Sequence, residues 1–251
     1  MSRALASVRR VLVTGAARGI GEASALEFVA RGCTVVALDK EFGDCALPSS
    51  VERVVYDLRE LGGIASLCKR LGTVDTLVNN AAVLHCPPLD RLRYGELGHT
   101  ADQADEILTV NLRAPVALIE ALAPQMMARG EALEAGAVGG RVVNIASVSA
   151  HTGHPDLWYG ASKAAVVNIT KAFAAAMGRS NVLVNAVAPG LTMTAMYDTL
   201  PQSRIDAMET MTYSGRGASP REIAEVVAWL GTESPSYING TCHDVNNGFH
   251  R

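Results

Sequence analysis

Apolar positions along the chain follow two alternating rhythms. Short β-branched runs occur at 10–14, 34–38, 53–56, 76–78, 141–145, 183–187 and 242–245. Between them lie longer stretches with helical periodicity, at 21–30, 107–127, 159–177 and 221–230. The short runs are almost continuously apolar, as strands must be when both faces of their sheet are covered. This alternation predicts an α/β fold, a doubly wound parallel sheet of about seven strands flanked by helices. Two stretches keep neither rhythm. Residues 130–140 are rich in Gly and Ala and read as a loop before a strand. Residues 191–217 are rich in Met and Thr and read as a mobile lid over whatever the sheet holds.

A chain of 251 residues has material for one substantial core, so 1–251 is expected to form a single domain. The formal charge of −3, without a Lys/Arg-rich run, points away from nucleic acid or an acidic membrane as partner. Aromatic residues make up only 5%, too few for a base-stacking surface. No unbroken apolar run has spanning length, and the N-terminal apolar stretch is too short for a signal peptide, so a soluble, cytoplasmic protein is expected. The five cysteines, Cys33, Cys45, Cys68, Cys86 and Cys242, include no Cys-x-x-Cys pair. They read as reduced thiols, with neither a disulfide framework nor a metal site expected.

Candidate chemistry begins where the first predicted strand ends. Thr14-Gly15-Ala16-Ala17-Arg18-Gly19-Ile20-Gly21 is a glycine-rich turn that opens a helix. Such a turn lets main chain approach a pyrophosphate, while the helix start offers free N–H groups and partial positive charge. Alone it is equally an ordinary loop; the strand–turn–helix–strand order gives it weight. The second strand runs into Asp39. A carboxylate there can accept hydrogen bonds from both ribose hydroxyls of an adenosine and repels a 2′-phosphate, which favours NAD over NADP. Arg18 and Lys40 pull the other way, but the acid holds the strand end.

Tyr159 and Lys163 stand one helical turn apart, so both can reach one cleft. A free phenol has a pKa of about 10, and a neighbouring ammonium favours its ionised form. The pair can therefore exchange a proton with a bound hydroxyl or carbonyl. With Thr14-Gly-x-x-x-Gly-x-Gly21, Asn79-Asn80-Ala81-Ala82, Asp57-Leu58, Tyr159-Gly-Ala-Ser-Lys163 and Pro189-Gly190 followed by Thr194, the chain resembles the short-chain dehydrogenase/reductase family from about Val11 to Gly248. Ala82 departs from the family's pattern, which usually has Gly there. The resemblance implies a Rossmann-type fold and an NAD-dependent oxidoreductase acting on CH–OH groups. It implies catalytic roles for Asn111, Ser147, Tyr159 and Lys163, with Ser147 preferred to Ser149 because it directly follows its strand. Cofactor contacts are implied for Gly15, Arg18, Gly19, Ile20, Gly21, Asp39, Asp57, Leu58, Asn80, Ala81, Tyr159, Lys163, Pro189, Gly190, Thr192 and Thr194.

Ligands of open α/β sheets bind at the carboxyl ends of the strands. Substrate candidates there are His85, Ser149, Trp158, Met193 and Met196, with Leu84, His151, His154 and Tyr197 nearby. Exposed loop histidines often do nothing chemical, and methionines are adaptable packing as often as recognition. The expected substrate is a small-molecule secondary alcohol or ketone. Two alternatives remain: an NADPH-dependent 3-oxoacyl-thioester reductase, and a dinucleotide sensor without catalysis. The resemblance further implies a homotetramer or homodimer. The stretch between Asp39 and Asp57 is short enough that a helix there is expected to shrink to a turn.

Overall fold

The computed structural model describes residues 9–85, 99–134, 136–194 and 202–249. Met196, Tyr197 and Cys86 lie outside the described residues. Seven strands, β1 (Arg10–Thr14), β2 (Thr34–Asp39), β3 (Glu52–Val55), β4 (Thr76–Asn79), β5 (Gly140–Ile145), β6 (Val182–Pro189) and β7 (Cys242–Val245), form one sheet. Their order is β3-β2-β1-β4-β5-β6-β7, and every neighbouring pair is parallel. The winding reverses between β1 and β4, which opens a crevice at their carboxyl ends. This is the doubly wound, Rossmann-like sheet that the strand rhythm predicts.

Side-chain alternation along each strand builds one core on each face. Leu12, Leu38, Leu77, Val142 and Val184 pack on one side with Leu118, Leu122 and Met126 of a long helix. Val11, Val13, Ala37, Val78 and Val143 pack on the other with Phe28, Ile223 and Val227. The helices on that second side are α1 (Gly19–Ala30) and α8 (Pro220–Thr232). The first side carries α2 (Ile64–Leu71), α4 (Ala114–Glu131) and α6 (Leu157–Met177).

Three helical features differ from the sequence-based expectation. Helix α2 lies outside the predicted elements; it buries Ile64, Leu67, Cys68 and Leu71 at helical spacing but spans barely two turns. The stretch expected to begin near residue 107 starts earlier, as α3 (Ala101–Leu108), because Thr100 and Gln103 form a capping box. Only Ala104 and Ile107 of α3 are buried, so its apolar stripe is short. The described part of 191–217 is also not structureless. It holds α7 (Gln202–Thr210), whose single buried residue is Ile205, and its base is pinned by a parallel bridge between Thr192 and Ala218. A helix lying on the surface with one anchor leaves no periodicity to read.

A π-helical turn, Thr109–Arg113, joins α3 to α4 into one helical run. By length and apolar content the run Ala101–Glu131 would suit a bilayer, with 44% of its apolar window buried. Here Leu118, Ile119, Leu122 and Met126 belong to the core. The β2–β3 connection carries no helix, in keeping with its shortness.

Candidate active site

The crevice between β1 and β4 is assembled by the glycine turn. Gly21 is required by close approach, because a Cβ there would stand 2.0 Å from the Gly15 carbonyl oxygen. Gly19 has φ +60°, and a Cβ on it would lie 3.4 Å from the Thr194 methyl, so Thr194 sits against the turn. Asn80 locks the turn to β4: its Nδ2 donates to the Thr14 and Gly15 carbonyls at 2.9 and 3.0 Å. The Asn80 and Ala81 N–H groups donate to Thr14 Oγ1 at 3.0 and 3.1 Å. Thr14, the first residue of the glycine motif but assigned no site role from sequence, thus ties the turn to the start of the β4 loop.

Helix α1 starts after Arg18 with no side-chain cap, so the N–H groups of its first turn, including those of Ile20 and Gly21, are left for a ligand. Asp39, at the end of β2, accepts from the Ala17 N–H at 2.9 Å and from the Lys40 N–H at 2.8 Å. A glycine turn without room for Cβ, an uncapped helix start and an acid at the second strand's end fit a dinucleotide. Both oxygens of Asp57 are engaged by Arg59, which also pairs with Glu106. That guanidinium holds the Asp57 carboxyl below its ordinary range. Leu58 beside it is buried in the core.

Tyr159 and Lys163 lie on α6, whose first turn is capped by Asp156. Lys163 Nζ stands 5.6 Å from the Tyr159 ring centroid and donates to the Ile145 carbonyl at 2.8 Å. The lysine is 3% exposed, and this burial pushes its pKa down from 10.5 to about 8. Ser147, just past β5, is buried, and its Oγ accepts from the Ser149 N–H at 3.1 Å. Asn111 lies in the π turn, a type of local irregularity often found at functional sites. Its Oδ1 accepts from the Val83 N–H at 2.8 Å, and its Nδ2 donates to the Val83 carbonyl and to Ser162 Oγ. The side chain therefore braces the β4 loop against α6.

The least legible part of the site is the polar network around the start of α6. Asp156 is fully buried and accepts from the Tyr159 N–H and the His85 N–H, both at 2.9 Å. His99 Nε2 lies 3.0 Å from the same carboxylate. The His85 ring meets Glu106 at 2.7 Å. His154 packs its ring 5.1 Å from that of Tyr159 and accepts from the Asp156 N–H through Nδ1. Burial lowers the His154 pKa, which favours neutral imidazole at this place. His85 and His154 thus join the Tyr159 neighbourhood. Trp158 and Met193 are substantially exposed, and Ser149 is buried at the start of α5 (Ser149–Thr152). Asp156, His99 and Glu106 are not among the predicted site residues; the only sequence signal is an acid placed before a helix.

Pro189 and Gly190 sit between these loops. The Pro189 carbonyl accepts from the Val148 N–H, and the Gly190 N–H donates to Val245. Thr192 Oγ1 caps the Gly190 carbonyl at 3.1 Å. After α7, Arg216 is held by both oxygens of Glu222 at 2.8 and 2.9 Å.

A glycine-turn crevice beside a Tyr-x-x-x-Lys helix defines a dinucleotide-dependent oxidoreductase. A family model described as enoyl-(acyl carrier protein) reductase matches residues 15–250. The chain belongs to the short-chain dehydrogenase/reductase family, oxidoreductases of CH–OH and ketone groups. It is 31% identical over 250 residues to the 3-oxoacyl-[acyl-carrier-protein] reductase of Thermotoga maritima, covering 94% of this chain and 96% of that one. Among solved structures, a protein from Beutenbergia cavernae named as an NAD(P)-dependent gluconate 5-dehydrogenase, with NADP at low occupancy, superposes with TM-score 0.84. It shares 31% identity over 96% of each chain. A 4-hydroxyisoleucine dehydrogenase complexed with NADH matches with TM-score 0.81 and 25% identity, over 96% of this chain and 98% of that one.

Proposed function

We propose that this protein is an NAD(H)-dependent dehydrogenase that interconverts a secondary alcohol and its ketone, with Tyr159 as acid/base. The observation that carries this reading is the buried Lys163 ammonium held 5.6 Å from the Tyr159 ring on the same helical face. When bound, the nicotinamide dinucleotide supplies the hydride acceptor or donor. Tyr159 Oη takes the hydroxyl proton as the alcohol's C–H bond breaks and returns it to the oxygen in the reduction direction. The lysine charge favours the phenolate form that this transfer needs. Ser147 hydrogen-bonds the reacting oxygen and orients it, while Asn111 keeps the β4 loop and α6 in register.

The cofactor reading rests on the turn itself. Gly15, Arg18, Gly19, Ile20 and Gly21 hold the pyrophosphate at the uncapped start of α1. Asp39 takes the adenosine ribose hydroxyls and disfavours a 2′-phosphate. Asp57, sharing its charge with Arg59, and Leu58 border the adenine. Asn80 and Ala81 line the crevice floor, Lys163 reaches the nicotinamide ribose, and Pro189, Gly190, Thr192 and Thr194 close over the carboxamide end. Residues 191–217 act as the lid of a single catalytic domain.

His85, paired with Glu106, and His154 give the cleft a polar rim that suits a hydroxylated substrate better than a long acyl chain. Ser149, Trp158, Met193 and Met196 complete the proposed substrate surround. The second reading, an NADPH-dependent 3-oxoacyl-thioester reductase, is favoured by the likeness to the Thermotoga enzyme. A homotetramer or homodimer formed through the two long helices belongs to the proposal, as does a cytoplasmic location. The test is a panel of alcohols, polyols and ketones followed by nicotinamide absorbance with each cofactor at equal concentration. Polyol or simple secondary-alcohol turnover with NAD is expected. Strong preference for NADPH with acyl thioesters would replace the first reading by the second.

A further inference from the structure

Away from the glycine turn, three side chains of metal-binding type converge at the edge of the sheet. Cys242 and Asp244 lie two residues apart on β7, so both project from one face of the strand. Their register partners on β6 are Ala186 and Ala188, whose side chains are single methyls. The third group, His151, comes from α5, and its Nε2 lies 3.8 Å from Asp244 Oδ1. One donor atom from each of His151, Cys242 and Asp244 lies within 4.8 Å of the other two. Absence of a Cys-x-x-Cys pair gives no warning of this cluster, because its members come from segments far apart in the chain.

The donor set is one imidazole nitrogen, one sulfur and one carboxylate oxygen. Zinc bonds of about 2.0–2.3 Å in a tetrahedron put ligand atoms roughly 3.5 Å apart, so the cluster needs side-chain adjustments of about an ångström. We propose that His151, Cys242 and Asp244 bind a zinc-class divalent cation, with water in the fourth position. His151 and Asp244 are exposed and give the ion an entry path, while Cys242 is half-buried and packs beside Ala186 and Ala188.

The charges balance. Thiolate and carboxylate together carry two negative charges against the dication, and the imidazole binds neutral. Burial, and then the Asp244 carboxylate, push the Cys242 thiol up to about 11, while Lys171 pulls it down. Binding breaks the S–H bond, forms the metal–sulfur bond and passes the proton to solvent. The ion would tie α5, which follows Ser147 by one residue, to the edge strand β7.

The experiment is titration of the reduced full-length protein with Co²⁺. The proposal expects one equivalent bound with a thiolate-to-cobalt charge-transfer band, displaced by Zn²⁺. The band should vanish in Cys242→Ser, and affinity should fall at least about tenfold in His151→Ala and Asp244→Asn, since loss of an outer-shell partner alone costs about that much and these are ligands. His151 is exposed, so its variant should fold, which circular dichroism would verify. Zinc at a hundredfold excess over its Kd should raise the parent's Tm by about 5 °C or more. No thiolate band in the parent, or a band of full amplitude in Cys242→Ser, would overturn the site. So would undiminished affinity in both other variants, leaving His151 and Asp244 as a simple ion pair beside a thiol.

Discussion

Lys163→Met removes a buried charge that the fold has to accommodate, and the effect on stability can be worked from the structure. Burial lowers the ammonium's pKa from 10.5 to about 8. A shift of this size corresponds to about 3 kcal/mol of destabilisation while the group is charged. The variant also forfeits the 2.8 Å bond to the Ile145 carbonyl, a loss of about 1 kcal/mol. Lys163→Met in the cofactor-free protein should therefore be more stable by about 2 kcal/mol at pH 7, or about 4–8 °C in Tm for a chain of this size. The pH dependence fixes the mechanism. The unfolded chain binds the proton more tightly than the native one between pH 8 and 10.5, so parent stability rises with pH across that window. Below about pH 8 the penalty is present in full, and above 10.5 it is gone. Urea unfolding of both proteins at pH 7 and pH 10, at equal concentration, tests this. The variant's advantage should shrink at the higher pH. A variant less stable than its parent at pH 7, or an advantage that ignores pH, would refute the buried-ammonium reasoning.

Three further outcomes follow from the same geometry. Asp39→Asn keeps an acceptor for the Ala17 N–H but removes the charge proposed to repel a 2′-phosphate. The NADP/NAD ratio of kcat/KM should rise on the order of 10²-fold, as two charges about 5 Å apart at the protein surface would give; an unchanged ratio would discard Asp39 as the selector. Asp156→Ala deletes the cap of α6 and strands the His85 N–H, so urea unfolding should show a loss of about 2–4 kcal/mol with a fall in kcat. Asp156→Asn should recover part of both, and an Ala variant with parental stability and rate would end the positioning role of this carboxylate. Arg59→Ala breaks exposed pairs with Asp57 and Glu106, and thermal unfolding should register less than about 1 kcal/mol. A loss above 2 kcal/mol would mean that these pairs support the site mechanically.

The sheet was readable because each central strand is buried on both faces and so had to be almost wholly apolar. Tyr159 and Lys163 were readable for a different reason: a helix turns i and i+4 to one side, so the pair survives as local spacing. The turn at Gly15–Gly21 is equally local. What stayed hidden depends on contacts between distant segments. Asp156 gathers the Tyr159 N–H, the His85 N–H and His99 from three parts of the chain, and nothing near Asp156 in sequence announces the other two. Arg59's hold on Asp57 puts a guanidinium beside an acid for which the family resemblance implies an adenine contact, and sequence spacing does not show that pairing. Helix α7 escaped because a surface helix anchored by Ile205 alone shows no stripe.

Single-turnover hydride transfer by Tyr159→Phe, on the best substrate of the panel, bears most directly on the proton-exchange role. Loss of the phenol should slow the reaction by about 10²–10⁴-fold, with dinucleotide affinity and circular dichroism unchanged. Hydride transfer at the parental rate in that variant would show that proton exchange belongs to another group.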